Sequence, residues 1–359
     1  MDFRFWILDF TLGPRARGLA RPLAVLVVLS LALCIFSWIL VSGLGGAGKM
    51  PAPQTPGWSA VGTEGEALGQ FKQPRGIGAF SDGSFVVADR AARVQFFARN
   101  GTPLRVWKMK EYSCGNPKGL CTLPDGNVLI CDTHYGRVLV LTPFGEIAKT
   151  WGTYGYAPGQ FIHPLSAAVD SGRSVAYIVE YGDRNDRVQK FALDGTFLKC
   201  WASFGSEDGQ LQRPSGVAVD GAGNVYVADA CNHRIQVFDG EGQFLRAFGR
   251  MGHEPGELSY PYDIACGPDG LLYVAEFNNH RVSVFERAGK FVRAYGGPGS
   301  ALGEFASPWS LTVDPRGRLL VSDTRNHRVQ ILDVGGLKPA RNELLNSVPG
   351  ESTIRTRAD

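Results

Sequence analysis

The sequence predicts an all-β fold, a six-bladed β-propeller of four-stranded antiparallel blades, preceded by an N-terminal transmembrane helix. Three observations carry the propeller. A proline recurs at Pro74, Pro117, Pro164, Pro214, Pro261 and Pro308, in steps of 43, 47, 50, 47 and 47 residues. An arginine keeps similar time at Arg93, Arg137, Arg187, Arg234, Arg281 and Arg328. Between these marks lie short alternating or apolar runs separated by Gly, Asp and Asn, which is the pattern of strands and hairpins. Repetition at roughly 40–50 residues with several strands per unit is the mark of a propeller blade. Composition agrees, since 46 glycines and only 20% charged residues suit a turn-rich β protein better than a helical bundle.

Taken in chain order, the first element is apolar. Residues 23–44 read LAVLVVLSLALCIFSWILVSGL without a charge, enough to cross a bilayer as one helix. Arg4, Arg15, Arg17 and Arg21 precede it, and the first basic residue after it is Lys49. The positive-inside rule makes residues 1–22 a cytoplasmic tail and puts the rest of the chain outside the cytoplasm. A cleaved signal peptide would have a shorter apolar stretch, roughly 7–15 residues, ending in a small-x-small site. A lipoprotein site at Cys34 would need a small residue where Leu33 stands. Residues 45–57, GGAGKMPAPQTPG, form a Gly/Pro linker between flexible and extended. The repeats fill residues 58–333, and residues 334–359 are a polar tail.

The fourth copy shows how one unit is built. SGVAVD (strand a) turns through GAGN into VYVAD (b), a polar turn leads to RIQVFD (c), and GEGQ leads to FLRAFG (d). The sixth copy has no good strand d, because VGGLKPARNELL puts Pro339 where a ladder donor is needed. The other end of the chain supplies one. WSAVG at residues 58–62 aligns with LRAFG at 245–249, and Gly62 precedes Pro74 by the 12 residues that also separate Gly152 from Pro164, Gly249 from Pro261 and Gly296 from Pro308. Residues 58–62 are therefore expected to be the outermost strand of blade six, closing the ring and removing exposed edges that would otherwise invite aggregation.

VYVADACNHRIQVFD, LYVAEFNNHRVSVFE and LLVSDTRNHRVQILD resemble the NHL repeat. The resemblance extends over residues 58–333 and is looser in the first three units, VVADRAARVQFF, LICDTHYGRVLVL and YIVEYGDRNDRVQKF. It implies a six-bladed propeller, the number that the prolines give independently. The family's cytoplasmic members include ubiquitin ligases with a Cys/His-rich RING domain ahead of the propeller, where this chain has its apolar segment. Others bind RNA, which wants a basic face. The formal net charge of +3 is near neutral for 359 residues, so no nucleic-acid partner is expected.

In each unit an acid ends strand b and an arginine opens strand c, so the two face each other across a hairpin. The pairs are Asp89–Arg93, Asp132–Arg137, Glu180–Arg187, Asp229–Arg234, Glu276–Arg281 and Asp323–Arg328. Six-fold recurrence assigns them to blade construction, since a catalytic site is needed once. His233, His280 and His327 sit in equivalent loops of different blades and are expected to be hydrogen-bonded there rather than gathered on a metal. Of seven cysteines, none shows CxxC spacing. Cys121, Cys131 and Cys266 stand where sister units carry Ala or Val, as small buried hydrophobes.

Antiparallel order puts the tight a–b and c–d turns at one end and the b–c and long d–a connections at the other. Binding belongs on the long-loop face. Strand a should be innermost, because Gly76, Gly119, Ser166, Gly216 and Ser310 keep its start small. The residues following the prolines then ring the channel mouth: Arg75, Lys118, Leu165, Ser215, Tyr262 and Trp309. Asp263, and Tyr181, Phe277 and Arg90 after the strand-b acids, join them. From this mixture the expected ligand-binding residues are Arg75, Lys118, Tyr181, Tyr262, Asp263, Phe277 and Trp309.

The expected function is non-catalytic recognition or scaffolding of a protein, peptide or glycan by a membrane-anchored, extracytoplasmic propeller, with no catalytic residue, no cofactor and no metal. The alternative is a metal-dependent lyase or hydrolase in the channel, like peptidyl-hydroxyglycine lyases or lactonases. The first would need several histidines projecting into the channel, and only His163 comes near. The second would use an acid and amide set that Glu180, Glu276 and Asp263 imitate, although the two glutamates are committed to arginines.

Overall fold

The structure is a computed structural model and describes residues 57–335, apart from 112, 114 and 115. The predicted tail, membrane span and most of the linker lie outside the described residues, as does the C-terminal tail after residue 335. Among the described residues no helix is long and apolar enough to cross a membrane.

Six four-stranded antiparallel sheets follow one another along the chain. The inner strands are Pro74–Ala79, Gly119–Thr122, His163–Asp170, Pro214–Val219, Pro261–Cys266 and Pro308–Val313. Strands b and c are buried on both faces, as in Val225–Asp229 and Arg234–Phe238. That double burial is why they read as apolar runs rather than as alternations. Six apolar clusters fill the six gaps between blades, each drawing side chains from two neighbours; Val86 and Ile130 share one, and Phe85 and Leu320 share another. A single blade exposes both faces of its sheet, so its stability depends on the ring.

The ring closes as the sequence predicts. Ser59–Val61 pairs with Arg328–Asp333 in the register Ser59↔Ile331, Ala60↔Gln330 and Val61↔Val329. Trp58 adds edge contacts to Tyr295 at 6.5 Å and Phe305 at 5.5 Å. The axis is crowded, as small residues there imply: a Cβ on Gly119 would lie 2.0 Å from the Leu165 carbonyl oxygen, and one on Gly216 would lie 2.5 Å from the Asp263 Cα. What remains is a cavity of about 220 Å³ between the inner strands, lined by residues such as Ile77, Leu120, Val217 and Ile264. Cys131 is buried, while Cys121 and Cys266 line that cavity with their thiols pushed up to about 12 by burial.

Candidate functional site at the mouth of the channel

All six acid–arginine pairs form. Arg137, Arg187, Arg234, Arg281 and Arg328 donate from Nε to Asp132, Glu180, Asp229, Glu276 and Asp323 at 2.8, 2.7, 2.9, 2.6 and 2.7 Å. Arg93 contacts Asp89 directly. Every one of these acids is 0% exposed, so its hydrogen-bond partners must replace the water lost on burial. The pairs reach beyond their own hairpin. Asp229 also accepts the Gln212 backbone N–H at 2.7 Å, and Arg234 donates to the Glu207 and Gln210 carbonyls at 2.7 and 3.0 Å. One ion pair therefore pins the long loop that leads into its blade, and the same pattern recurs at Glu276–Arg281 and Asp323–Arg328. Blade two departs: Asp132 Oδ1 has no hydrogen-bond partner, and Arg137 is shared with Glu111 at 2.7 Å. Burial raises the Asp132 carboxyl against the pull of Arg137.

The loop histidines staple neighbouring blades. Nδ1 of His233, His280 and His327 accepts the backbone N–H of Tyr260, Ser307 and Gln73 at 3.2, 2.9 and 3.3 Å. The last of these joins blade six to blade one. Asp186 replaces histidine in blade three and accepts the Arg213 N–H at 2.7 Å. Each acceptor serves the residue just before an anchor proline, and Gln73, Arg213, Tyr260 and Ser307 all have φ near +50°. That left-handed turn directs the chain from loop to inner strand.

Six of the seven expected ligand residues meet at the mouth. Tyr262 stacks on Phe277 at 4.5 Å and meets Trp309 edge-on at 4.8 Å. The Arg75 guanidinium lies 4.6 Å from the Trp309 ring centre. Opposite, Lys118 Nζ donates to the Tyr181 hydroxyl at 3.1 Å. Arg213 joins the two halves, its guanidinium 5.4 Å from Tyr181 and 5.8 Å from Tyr262. Cations and aromatic rings so form one continuous belt from blade one through six, five and four to three and two. Arg325 covers Phe277 at 5.9 Å, while Arg90 reaches Gln73 at 3.2 Å. Leu165 and Ser215 are buried beneath.

Asp263 belongs to the scaffold behind this belt. It is 9% exposed, and its carboxylate accepts the Ser310 hydroxyl and the Leu311 and Ile264 backbone N–H groups, the latter two at 3.1 and 2.9 Å. It thereby ties the inner strand of blade five to that of blade six. Strand alternation turns Tyr262 toward the mouth and Asp263 into the contact between strands. Burial pushes the Asp263 carboxyl up to about 6 despite those three donors.

Three contributors, Arg213, Arg325 and His134, were not singled out from the sequence, and a fourth, His163, was noted there only as the histidine nearest the channel. Arg213 immediately precedes Pro214, and Arg325 lies two residues, rather than one, after the strand-b acid Asp323. His134 and His163 lie 5.9 Å apart, with His163 5.3 Å from Tyr181. Burial and the charges of Lys118 and Arg75 hold His134 down at about 4; burial and Lys118 likewise lower His163. Both imidazoles are neutral near pH 7. Burial and Arg90 push Arg75 down to about 10, and burial lowers Lys118.

A propeller with a cation–aromatic mouth on its long-loop face is the class that fold and site define. The family model described as "NHL repeat" matches residues 211–238, 258–285 and 305–332, so the last three repeats of this six-bladed β-propeller are NHL repeats. No curated protein matches the sequence. Among solved structures, a streptogramin B lyase is similar at TM-score 0.56 and 12% identity, over 77% of this chain and 97% of that one. A structural-genomics protein of unknown function from Bacteroides thetaiotaomicron VPI-5482 is similar at 0.61 and 14%, over 77% and 75%. The WD40 β-propeller domain of Doa1 aligns at 0.50 and 16%, over 72% and 78%. At these identities the likeness concerns the fold alone.

Proposed function

We propose that this chain is a recognition module. Its apolar segment at residues 23–44 anchors it in a membrane with the N-terminus in the cytoplasm, and the propeller, periplasmic or extracellular, engages a protein, peptide or glycan at the channel mouth. The observation that carries the reading is the belt itself. Arg75, Lys118, Arg213, Tyr181, Tyr262 and Trp309 converge from six different stretches of chain, and blade construction does not require that convergence. The rival, a metal-dependent lyase or hydrolase, draws on the streptogramin B lyase fold and on Glu180, Glu276 and Asp263. Those three carboxylates are spent on Arg187, on Arg281 and on the Ser310–Leu311 strand, which favours recognition.

The test compares the full-length chain with a Tyr262→Ala/Trp309→Ala variant on peptide and glycan arrays. Loss of the wild-type hits with an unchanged melting temperature supports the reading; identical binding by both proteins refutes the site. Topology is read separately by adding protease outside intact cells. Digestion of the propeller with a protected N-terminal tail is expected, and a protected propeller overturns the orientation.

A further inference from the structure

The mouth is short of negative charge. Arg75, Lys118 and Arg213 are half-buried beside the starts of the inner strands, and among the described residues none of the three has a carboxylate within ion-pair distance. Their polar contacts are weak acceptors: Asn116 Oδ1 for Arg75 at 3.1 Å, the Tyr181 hydroxyl for Lys118, and aromatic faces. Nε of both Arg75 and Arg213 is buried without a hydrogen-bond partner, as is Nδ1 of His134 and of His163. The arrangement contrasts with the six blade arginines, each of which meets a buried acid. Half-buried cations and bare donors are costly unless something supplies the missing charge. The nearby acids do not: Asp186 is held by the Gly182 and Arg213 backbone N–H groups, and Asp183 accepts the Tyr156 hydroxyl.

We infer that the channel mouth is an oxyanion site, in which Arg75, Lys118 and Arg213 bind a carboxylate or phosphate group of the ligand. The inference rests on the recognition reading and names the chemistry of what is recognised. Guanidinium groups match planar carboxylates and phosphates with paired donors, and Lys118 adds a point charge. Tyr262, Phe277 and Trp309 give an apolar wall for whatever carries the anion.

The experiment titrates the full-length chain, in a non-ionic detergent at low salt, with inorganic phosphate, sulfate and citrate by calorimetry. Saturable binding of at least one is expected, weakened about tenfold by Lys118→Gln or Arg75→Gln and largely retained by Lys118→Arg. Added potassium chloride weakens it further. A preference for citrate assigns a carboxylate ligand, and a preference for phosphate assigns a phosphorylated one. The inference is overturned if none of the three anions saturates, or if a folded Arg75→Gln/Lys118→Gln double variant binds like wild type. Should the double variant lose its folded tryptophan signal, the comparison of Lys118→Gln with Lys118→Arg decides: equal weakening, or none, overturns it. Array binding that depends on Tyr262 and Trp309 but ignores phosphate, citrate and Lys118→Gln removes the anion and leaves recognition. Anion binding without any array hit does the reverse.

Discussion

Replacing Asp263 by asparagine should change how stability depends on pH. The Asp263 carboxyl sits between the inner strands of blades five and six, and burial lifts it to about 6 from an ordinary 3.8. A folded-state value above the unfolded one means that the folded protein holds this proton more tightly. Its contribution therefore favours folding at acid pH and is lost as pH rises from about 4 through about 6. At about 1.4 kcal/mol per pH unit, that interval comes to about 3 kcal/mol. Asparagine keeps an acceptor for one backbone N–H and an amide donor for Ser310, so its hydrogen-bonding loss is an offset of about 1 kcal/mol at every pH. Other groups titrate in the same window, with Glu180 and Asp186 raised and His134, His163, His233 and His280 lowered. Only the difference between the two proteins isolates Asp263. Urea unfolding followed by tryptophan fluorescence at several pH values measures it. The Asp263→Asn variant should gain on wild type by about 3 kcal/mol from pH 4 to pH 7.5. A difference that stays constant with pH, or grows in favour of wild type, refutes the reasoning.

Asp229→Ala removes the buried partner of Arg234, leaving only the exposed Asp208 at 3.7 Å, and frees the loop held at Gln212, so it should lower unfolding free energy by about 3 kcal/mol in the same assay. Gly119→Ala drives a methyl onto the Leu165 carbonyl across the crowded axis; a loss of roughly 2 kcal/mol or more is expected from denaturant midpoints. Deleting residues 56–62 removes the closing strand and the Trp58 contacts, which should lower the melting temperature by roughly 5–10 °C and promote aggregation. Truncation after Leu337 should do little by comparison, and the reverse ranking would count against closure by the N-terminal strand.

Much of the scaffold was legible because a blade is a local object. Strands a to d are consecutive hairpins, so short-range spacing places Asp229 opposite Arg234, and the Gly-to-Pro interval shared with the other repeats pairs residues 58–62 with Arg328–Asp333. Proline counting gives the number of blades, and the small residues at the start of strand a point to the axis. The mouth was only half legible for the opposite reason. Arg75, Lys118, Tyr181, Tyr262, Phe277 and Trp309 could be placed by position within the repeat. Arg213 could not, because its reach between Tyr181 and Tyr262 depends on the left-handed turn before Pro214 and on the width of the ring.

By itself, then, the sequence determined the repeat, its strand order and the six ion pairs, fixed by hairpin geometry over distances of a few residues, and the closing strand, fixed by the spacing that the first repeat shares with the others. Tertiary structure alone decided that Asp263 works between strands, that the paired arginines pin loops more than 20 residues upstream, and that Arg213, His134 and His163 join the mouth. Radial packing brings equivalent positions of six blades to one axis. A charge's partner there is set by the curvature of the closed ring, which no single repeat encodes.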